Sequence, residues 1–400
     1  MRGFTPIREL EVFVADQVVR IGIVGFGGMG NSHAQYLARN EVTGAKLAAV
    51  CDTDPARLTF ARDRYGEAIK CFDNHAAMIA SGEVDAVMVA TPHYDHPPIC
   101  IAALKAGLHA LSEKPAGVYT SAVRELNAVA EKSGRVFGIM FNQRTRADHQ
   151  KMRDLVASGE LGEIRRTMYV ITDWLRTQSY YDSGGWRGTW AGEGGGVLMN
   201  QAPHNLDLFQ WIAGMPSRVR AFCKFGRYHN IEVEDDATAY VEYPNGASGV
   251  FITTTGETPG RNFFEIVGDR GSVLLERGKI TFRRTRTSVT EHINTCPGSF
   301  DTPETWTIDI PAGGGPEHKG ITQNWVNAIR TGSPLLASGT EGIHGLMLCN
   351  AMLMSTWIDN WVELPLDEAR YKAMVKERAA TSRFKKPATS GKALNFSGTF

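Results

Sequence analysis

Two short segments of this chain combine acid–base side chains with backbone that can come close to a ligand. The first is Glu113-Lys114-Pro115, directly after an apolar run at residues 109–112. A lysine at a strand's carboxyl end, beside a bound cofactor, can share a proton with a hydroxyl or steady an alkoxide. On position alone, a surface lysine paired with Glu113 is an equally good reading. The second is Gly194-Gly195-Gly196-Val197-Leu198-Met199-Asn200-Gln201-Ala202-Pro203-His204-Asn205-Leu206-Asp207. Asn200 and His204 are four apart, so on a helix they share a face, with Asp207 one turn beyond. Pro203 suits a regular helix only in its first turn. The glycines before it let backbone and ligand approach each other. Upstream, residues 173–196 crowd Trp174, Tyr180, Tyr181, Trp186 and Trp190 together with Arg176. Flat apolar faces beside polar donors suit the C–H faces and hydroxyls of a sugar ring, although about half of such rings are expected to pack the loop itself.

A third signal is Gly25-Phe26-Gly27-Gly28-Met29-Gly30, which has G-x-G-x-x-G spacing, follows an apolar run and opens a helical stretch. In that setting Gly25 permits the tight turn, Gly27 admits a pyrophosphate to the backbone, and Gly30 lets helix and strand pack closely. The free N–H groups and dipole of the helix start then face the phosphates. Asp52 stands 22 residues past Gly30, at the end of the next apolar run, with Thr53, Asp54 and Pro55 after it. A carboxylate there accepts from the adenosine ribose and repels a 2′-phosphate. No arginine follows directly, so the expected cofactor is NAD. Asp54 is better suited to cap the helix starting near Pro55.

The elements that must position these groups follow from periodicity. Apolar runs at 18–24, 46–51, 84–90, 109–112 and 136–141 alternate with helical stretches at 32–39, 55–65, 98–106 and 121–133. Near-continuous apolar strands separated by helices imply a parallel sheet covered on both faces. Past Asn142 the texture changes. A helix at 148–157 precedes a strand at 164–172, the aromatic loop, a helix at 197–213, and strands at 218–225, 237–243, 247–255, 262–267, 272–276 and 279–282. Strands that follow one another across short turns imply an antiparallel or mixed sheet. Helices at 321–331 and 339–359 come last. The expected organisation is α/β: an extension at 1–17, a Rossmann domain at 18–143, a second domain at 144–378 whose final helices can pack back on the first, and a tail at 379–400.

Lys+Arg and Asp+Glu are both 43, so no excess charge drives binding to nucleic acid or an anionic membrane. The six cysteines include no C-x-x-C pair, which leaves zinc and redox-motif readings weak and no metal expected. The N-terminal stretch has no apolar core of a signal peptide, and no run is long enough to span a bilayer. A cytoplasmic protein is the expectation.

The segments IGIVGFGGMGNSH, ATPHYDH, EKP and GGGVLMNQAPHNLD, with VGDRGSVLLERGK and NWVNAIRTGSPLLASGTEG further on, resemble the glucose–fructose oxidoreductase / inositol dehydrogenase family (Gfo/Idh/MocA). The resemblance runs from about residue 18 to 364. It implies an N-terminal Rossmann domain plus a C-terminal α+β domain with a large, mostly antiparallel open sheet, and a homodimer or homotetramer built on that sheet. It implies that Lys114 acts in proton transfer and substrate orientation and that His204 is the catalytic histidine. Asn200 lies where many members carry aspartate, which removes a charge from the presumed triad. Ala90, Thr91, Pro92 and His96 match the segment lining the nicotinamide, Glu113 and Asn142 lie near the cofactor, and Trp186-Arg187 match a pair that approaches cofactor or substrate. The expected catalytic set is therefore Lys114, His204 and Asn200, with Trp174, Arg176 and Tyr180 on the substrate. The expected reaction is hydride transfer between a secondary ring hydroxyl of a sugar, glycoside or polyol, C3 being a common position, and NAD. Two other readings use the same residues: redox-neutral glycoside cleavage through a transient keto-sugar, and a dinucleotide-sensing regulator without turnover.

Overall fold

The computed structural model describes residues 18–382. The expected extension at 1–17 and most of the expected tail lie outside the described residues. The first layer alternates β1 (Val19–Val24), α1 (Gly28–Ala38), β2 (Ala45–Cys51), α2 (Pro55–Tyr65), β3 (Lys70–Phe72), α3 (His75–Ala80), β4 (Ala86–Val89), α4 (His96–Lys105), β5 (His109–Ser112), α5 (Thr120–Ser133) and β6 (Phe137–Ile139). The six strands are parallel, in the order β3-β2-β1-β4-β5-β6. Ile21, Ile23, Val87, Met88 and Leu111 are wholly buried, as a sheet covered on both faces requires. The order reverses between β1 and β4, and the carboxyl ends of those two strands open the crevice where such sheets bind ligands. The three-residue β3 was not anticipated, because it is too short to show a period.

The chain continues through α6 (Ala147–Ala157), β7 (Ile164–Ile171), a short α7 (Gln178–Asp182), α8 (Pro203–Ala213), β8 (Arg218–Phe225), β9 (Glu234–Glu242), β10 (Ser248–Thr254), β11 (Asn262–Gly268), β12 (Gly271–Glu276), β13 (Lys279–Thr285), α9 (Val289–Thr295), β14 (Thr305–Ile310), α10 (Glu317–Thr331), α11 (Gly342–Ile358), β15 (Val362–Glu363) and α12 (Glu368–Ala380). Nine of these strands form one sheet in the order β14-β13-β12-β11-β7-β10-β9-β8-β15. Only the β7–β10 pair is parallel. Inward residues alternate along each strand, and Phe209 of α8 packs on Phe251 and Phe264 of the sheet at 5.7 and 5.9 Å between ring centroids. The opposite face leaves Phe222 and Tyr240 half-exposed.

The last helices fold back on the first layer. Trp325 of α10 is buried and donates to the Val136 carbonyl. Tyr36 of α1 meets Thr322 of α10 at 2.8 Å, and Asn350 of α11 accepts from the Thr120 amide and donates to the Val118 carbonyl. The expected start of the tail, residue 379, instead falls in the last turn of α12. Among the described residues no helix is long and apolar enough to cross a membrane.

Candidate active site

At the end of β1 the three motif glycines have different physical reasons. Gly25 has φ +91°, and a Cβ there would sit 2.6 Å from the Ala90 carbonyl oxygen. A Cβ on Gly30 would sit 1.9 Å from the Gly25 oxygen. Both are required by the fold itself. A Cβ on Gly27 would meet only the tip of Arg57, at 3.8 Å, so the protein leaves that space to something else. Gly28 and Met29 form the first turn of α1, which has neither a side-chain cap nor an acidic residue to use its free N–H groups. A dinucleotide pyrophosphate fits these donors and this space. Phe26 contributes differently. Its ring is buried against Phe60 and Tyr65, and its N–H is spent on Asp52 at 2.7 Å.

Asp52 also accepts from the Asp54 amide at 2.9 Å and from Arg57 at 3.0 Å. This corrects the expectation that no arginine stands beside Asp52. Arg57 is five residues on, and the first turn of α2 swings it back over the strand end. Asp54 caps α2 as expected.

At the ends of β4 and β6, Thr91 Oγ1 and Asn142 Oδ1 are buried with no partner among the described residues. The Asn142 amide donates to Glu317 at 2.8 Å. Ala90 is held to β1 through Val24, and Pro92 begins the short turn leading to α4. The ring nitrogens of His96 meet the carbonyls of Pro115 and Thr91 at 2.7 and 2.8 Å. His96 ties the turn after β4 to the loop after β5.

Glu113 is buried and meets His33 Nε2 at 2.6 Å, while Lys114 donates its own amide to the second oxygen at 3.1 Å. Burial alone would raise this carboxyl, but the hydrogen bond and charge of His33, with His318 and Lys114, hold it at about 2. Glu113 is thus an ionised anchor under Lys114. The Lys114 ammonium donates to the Asn200 backbone carbonyl at 2.9 Å. Burial lowers its pKa, Arg187 and Arg176 push the same way, and Glu113 and Glu193 oppose them.

The expected continuous helix at 197–213 is broken. Val197–Gln201 forms a wide turn with π-type hydrogen bonding, and α8 starts anew at Pro203, whose missing N–H costs nothing at a helix start. Gly196 and Leu198 donate to one oxygen of buried Glu234, which fixes the turn from below. Burial pushes Glu234 up to about 8. In consequence Asn200 does not share a helix face with His204. Its side-chain amide donates to Glu193, and it reaches Lys114 through its main chain. Asp207 points elsewhere, into a buried ion pair with Arg144 at 2.6 Å. His204 is 3% exposed, and neither ring nitrogen has a partner among the described residues. Burial, then the charges of Lys114 and His318, hold it well below the ordinary imidazole value, so it is neutral.

In the aromatic loop Tyr181 and Trp190 are buried as packing, with Tyr181 bonded to Thr255 and Trp190 against Trp357. Trp174, Tyr180 and Trp186 remain partly open. The Tyr180 hydroxyl accepts from Arg187 at 2.6 Å and from Gln201 at 3.0 Å. The Trp186 ring meets buried His93 edge-on at 5.2 Å. Glu193, Gln201 and His33 were not anticipated. Glu193 had one visible signal, an acid directly before three glycines. Gln201 and His33 had none: Gln201 reaches Tyr180 back across the glycine turn, and His33 meets Glu113 from 80 residues away.

A pyrophosphate cradle at the switch point of a doubly wound sheet, facing a neutral histidine and a lysine across the crevice, defines a dinucleotide-dependent oxidoreductase. The chain belongs to the Gfo/Idh/MocA oxidoreductases: residues 19–141 match the model of the oxidoreductase family with NAD-binding Rossmann fold, and residues 149–274 match that of the GFO/IDH/MocA C-terminal domain. NAD is accordingly its dinucleotide. The chain is 31% identical over 251 residues to D-glucoside 3-dehydrogenase of Escherichia coli, a match covering 57% of this chain and 68% of that protein. It is 28% identical to inositol 2-dehydrogenase of Corynebacterium glutamicum, over 49% of this chain and 54% of the other. Among solved structures, the WlbA dehydrogenase of Chromobacterium violaceum, in complex with NADH and UDP-GlcNAcA, superposes with a TM-score of 0.75 at 29% identity, covering 92% of this chain and all of the other.

Proposed function

We propose that the protein oxidises a secondary ring hydroxyl of a sugar, glycoside or polyol, with C3 the first position to examine, and passes the hydride to NAD. The observation that carries this reading is His204: a buried, neutral imidazole with neither nitrogen partnered among the described residues, beside the lysine of the Glu113-Lys114-Pro115 loop. NAD, held by the turn at Gly25–Gly30 and by Asp52, supplies the hydride acceptor. His204 takes the hydroxyl proton as the C–H bond gives up its hydride. Lys114, as ammonium, donates to the same oxygen and steadies the charge that develops on it. Asn200 holds Lys114 through its carbonyl, and Glu193 holds Asn200. Trp174, Tyr180 and Trp186 offer ring faces to the sugar, with Gln201 and Arg176 as donors. Ala90, Thr91 and Asn142 line the nicotinamide end.

The names of the relatives support the substrate class: one acts on a glucoside at position 3, another on inositol, and the WlbA structure holds a nucleotide-linked sugar. The half-exposed Phe222 and Tyr240 on the open sheet face support self-association as a homodimer or homotetramer. The test is an NAD-reduction screen against polyols, monosaccharides and glycosides, with NMR of the products. Net NADH with a keto-sugar product is expected. Glycoside cleavage without net NADH, or no turnover across the panel, refutes the dehydrogenase reading.

A further inference from the structure

Several arginines of the second domain pair with acids, among them Arg144 with Asp207, Arg227 with Asp236 and Arg261 with Glu276. Arg176 and Arg187, which meet at one tyrosine beside the crevice, do not. The hydrogen bonds they make go to neutral groups, Arg176 to the Leu175 carbonyl and Arg187 to the Tyr180 hydroxyl. No ion pair joins either to a carboxylate among the described residues. Arg187 is 9% exposed, and the Arg176 Nε is buried with no partner among the described residues. Each guanidinium rests on two ring faces, Arg176 on Trp174 and Tyr180 and Arg187 on Tyr180 and Trp186, which steadies the charge but leaves most of its N–H fork for an oxyanion.

The two groups converge on one place. Their guanidinium carbons lie 5.3 and 4.6 Å from the centre of the Tyr180 ring. Tyr180 already accepts two hydrogen bonds, from Arg187 and Gln201, so its own proton is left to donate. Gln201, which shares the Tyr180 hydroxyl with Arg187, follows Asn200, whose carbonyl holds Lys114, so the arginines lie on the lysine's side of the crevice. The Gln201 Oε1 beside them is a further buried atom without a partner. A neutral sugar ring can fill the space and stack on the aromatic faces, but it cannot neutralise two guanidiniums. An oxyanion can, since a carboxylate or phosphate matches the guanidinium fork.

We propose that Arg176 and Arg187, with the Tyr180 hydroxyl, form an anion subsite, and that the substrate is an acidic sugar carrying a carboxylate or phosphate group. This rests on the dehydrogenase reading and narrows its substrate class. The anion is bound and not transformed. Its distance from the reacting carbinol is set by the span from the arginines to Lys114, so the sugar is oriented as well as held.

The experiment compares matched pairs on the NAD-saturated enzyme: glucuronate with glucose, galacturonate with galactose, and glucose 6-phosphate with glucose. The acidic member is expected to have a kcat/KM at least about tenfold higher, the scale of one charge-assisted contact. Arg176→Gln is expected to remove most of that preference, chiefly through KM, while the KM for NAD stays within about twofold. Because Arg187 is buried, Arg187→Lys accompanies it, keeping charge but losing the fork. A uronate preference assigns the subsite to carboxylate, and a sugar-phosphate preference assigns it to phosphate. Equal or better turnover of the neutral members overturns the proposal. So does a ratio that Arg176→Gln leaves unchanged, or an Arg176→Gln enzyme whose NAD and sugar affinities fall together. If no pair is oxidised, the readout passes from turnover to binding. Calorimetry of glucuronate and glucose on the NAD-loaded protein then decides the subsite separately, equal binding overturning it and stronger glucuronate binding supporting it.

Discussion

Replacing Glu113 by glutamine tests the electrostatic frame beneath Lys114. The carboxyl sits at about 2 instead of its ordinary 4.5, because His33, His318 and Lys114 outweigh the penalty of burial. A carboxylate displaced that far contributes about 3 kcal/mol to stability near neutral pH. The sign follows from the direction: the contribution is complete above the ordinary carboxyl range and is lost as pH falls toward about 2. Glutamine has no such titration. The stability gap between native protein and Glu113→Gln should therefore narrow from about 3 kcal/mol near pH 6 to about 2 kcal/mol near pH 3.5, read by urea unfolding. The same substitution removes a negative charge that favours the protonated forms of both Lys114 and His204. Both limbs of the kcat/KM profile for alcohol oxidation should then move to lower pH. A gap that is constant across this pH range refutes the ionised-anchor argument. A profile that moves to higher pH refutes its link to the reacting pair.

Gly27→Ala should fold normally yet weaken NAD binding by about tenfold or more, since its Cβ enters only the ligand's space, whereas Gly30→Ala should lose thermal stability outright; fluorescence titration and melting curves check both, and native-like NAD binding by Gly27→Ala would remove the pyrophosphate from that turn. Lys114→Ala should retain NAD binding and lose most turnover; activity within about tenfold of native, about 1.4 kcal/mol of barrier, would deny it the main role on the hydroxyl. NAD should bind more tightly than NADP, and Asp52→Ser should narrow the difference by freeing Arg57 to meet a 2′-phosphate; equal affinities in the native protein would sink this. Asn200→Asp sets a second carboxyl against Glu193, and such a pair shares a proton, so the acidic limb should shift by less than about half a pH unit. A full-unit shift to higher pH would show the new charge acting independently of Glu193.

The local signals in this chain were those whose cause is local. Gly25, Gly27 and Gly30 are set by one turn and one helix start. The alternation of apolar runs with helices follows from burial on two faces, and Lys114 and His204 are conspicuous because loop and glycines surround them. The sequence by itself therefore determined the Rossmann layer and the cofactor turn, and singled out Lys114 and His204 as candidates for proton transfer. It could not determine what touches what across the fold. Arg57 returns over Asp52 through a helical turn, and His33, 80 residues from Glu113 in the chain, anchors it. Glu234 shapes the turn that carries Asn200, so that the carbonyl of Asn200, and not its amide, meets Lys114. Arg176 and Arg187 also look ordinary in the sequence, since their meeting at Tyr180 is a property of the folded loop. Charge partners, burial and the break at Pro203 depend on distances between segments far apart in the chain, and only tertiary packing fixes those distances.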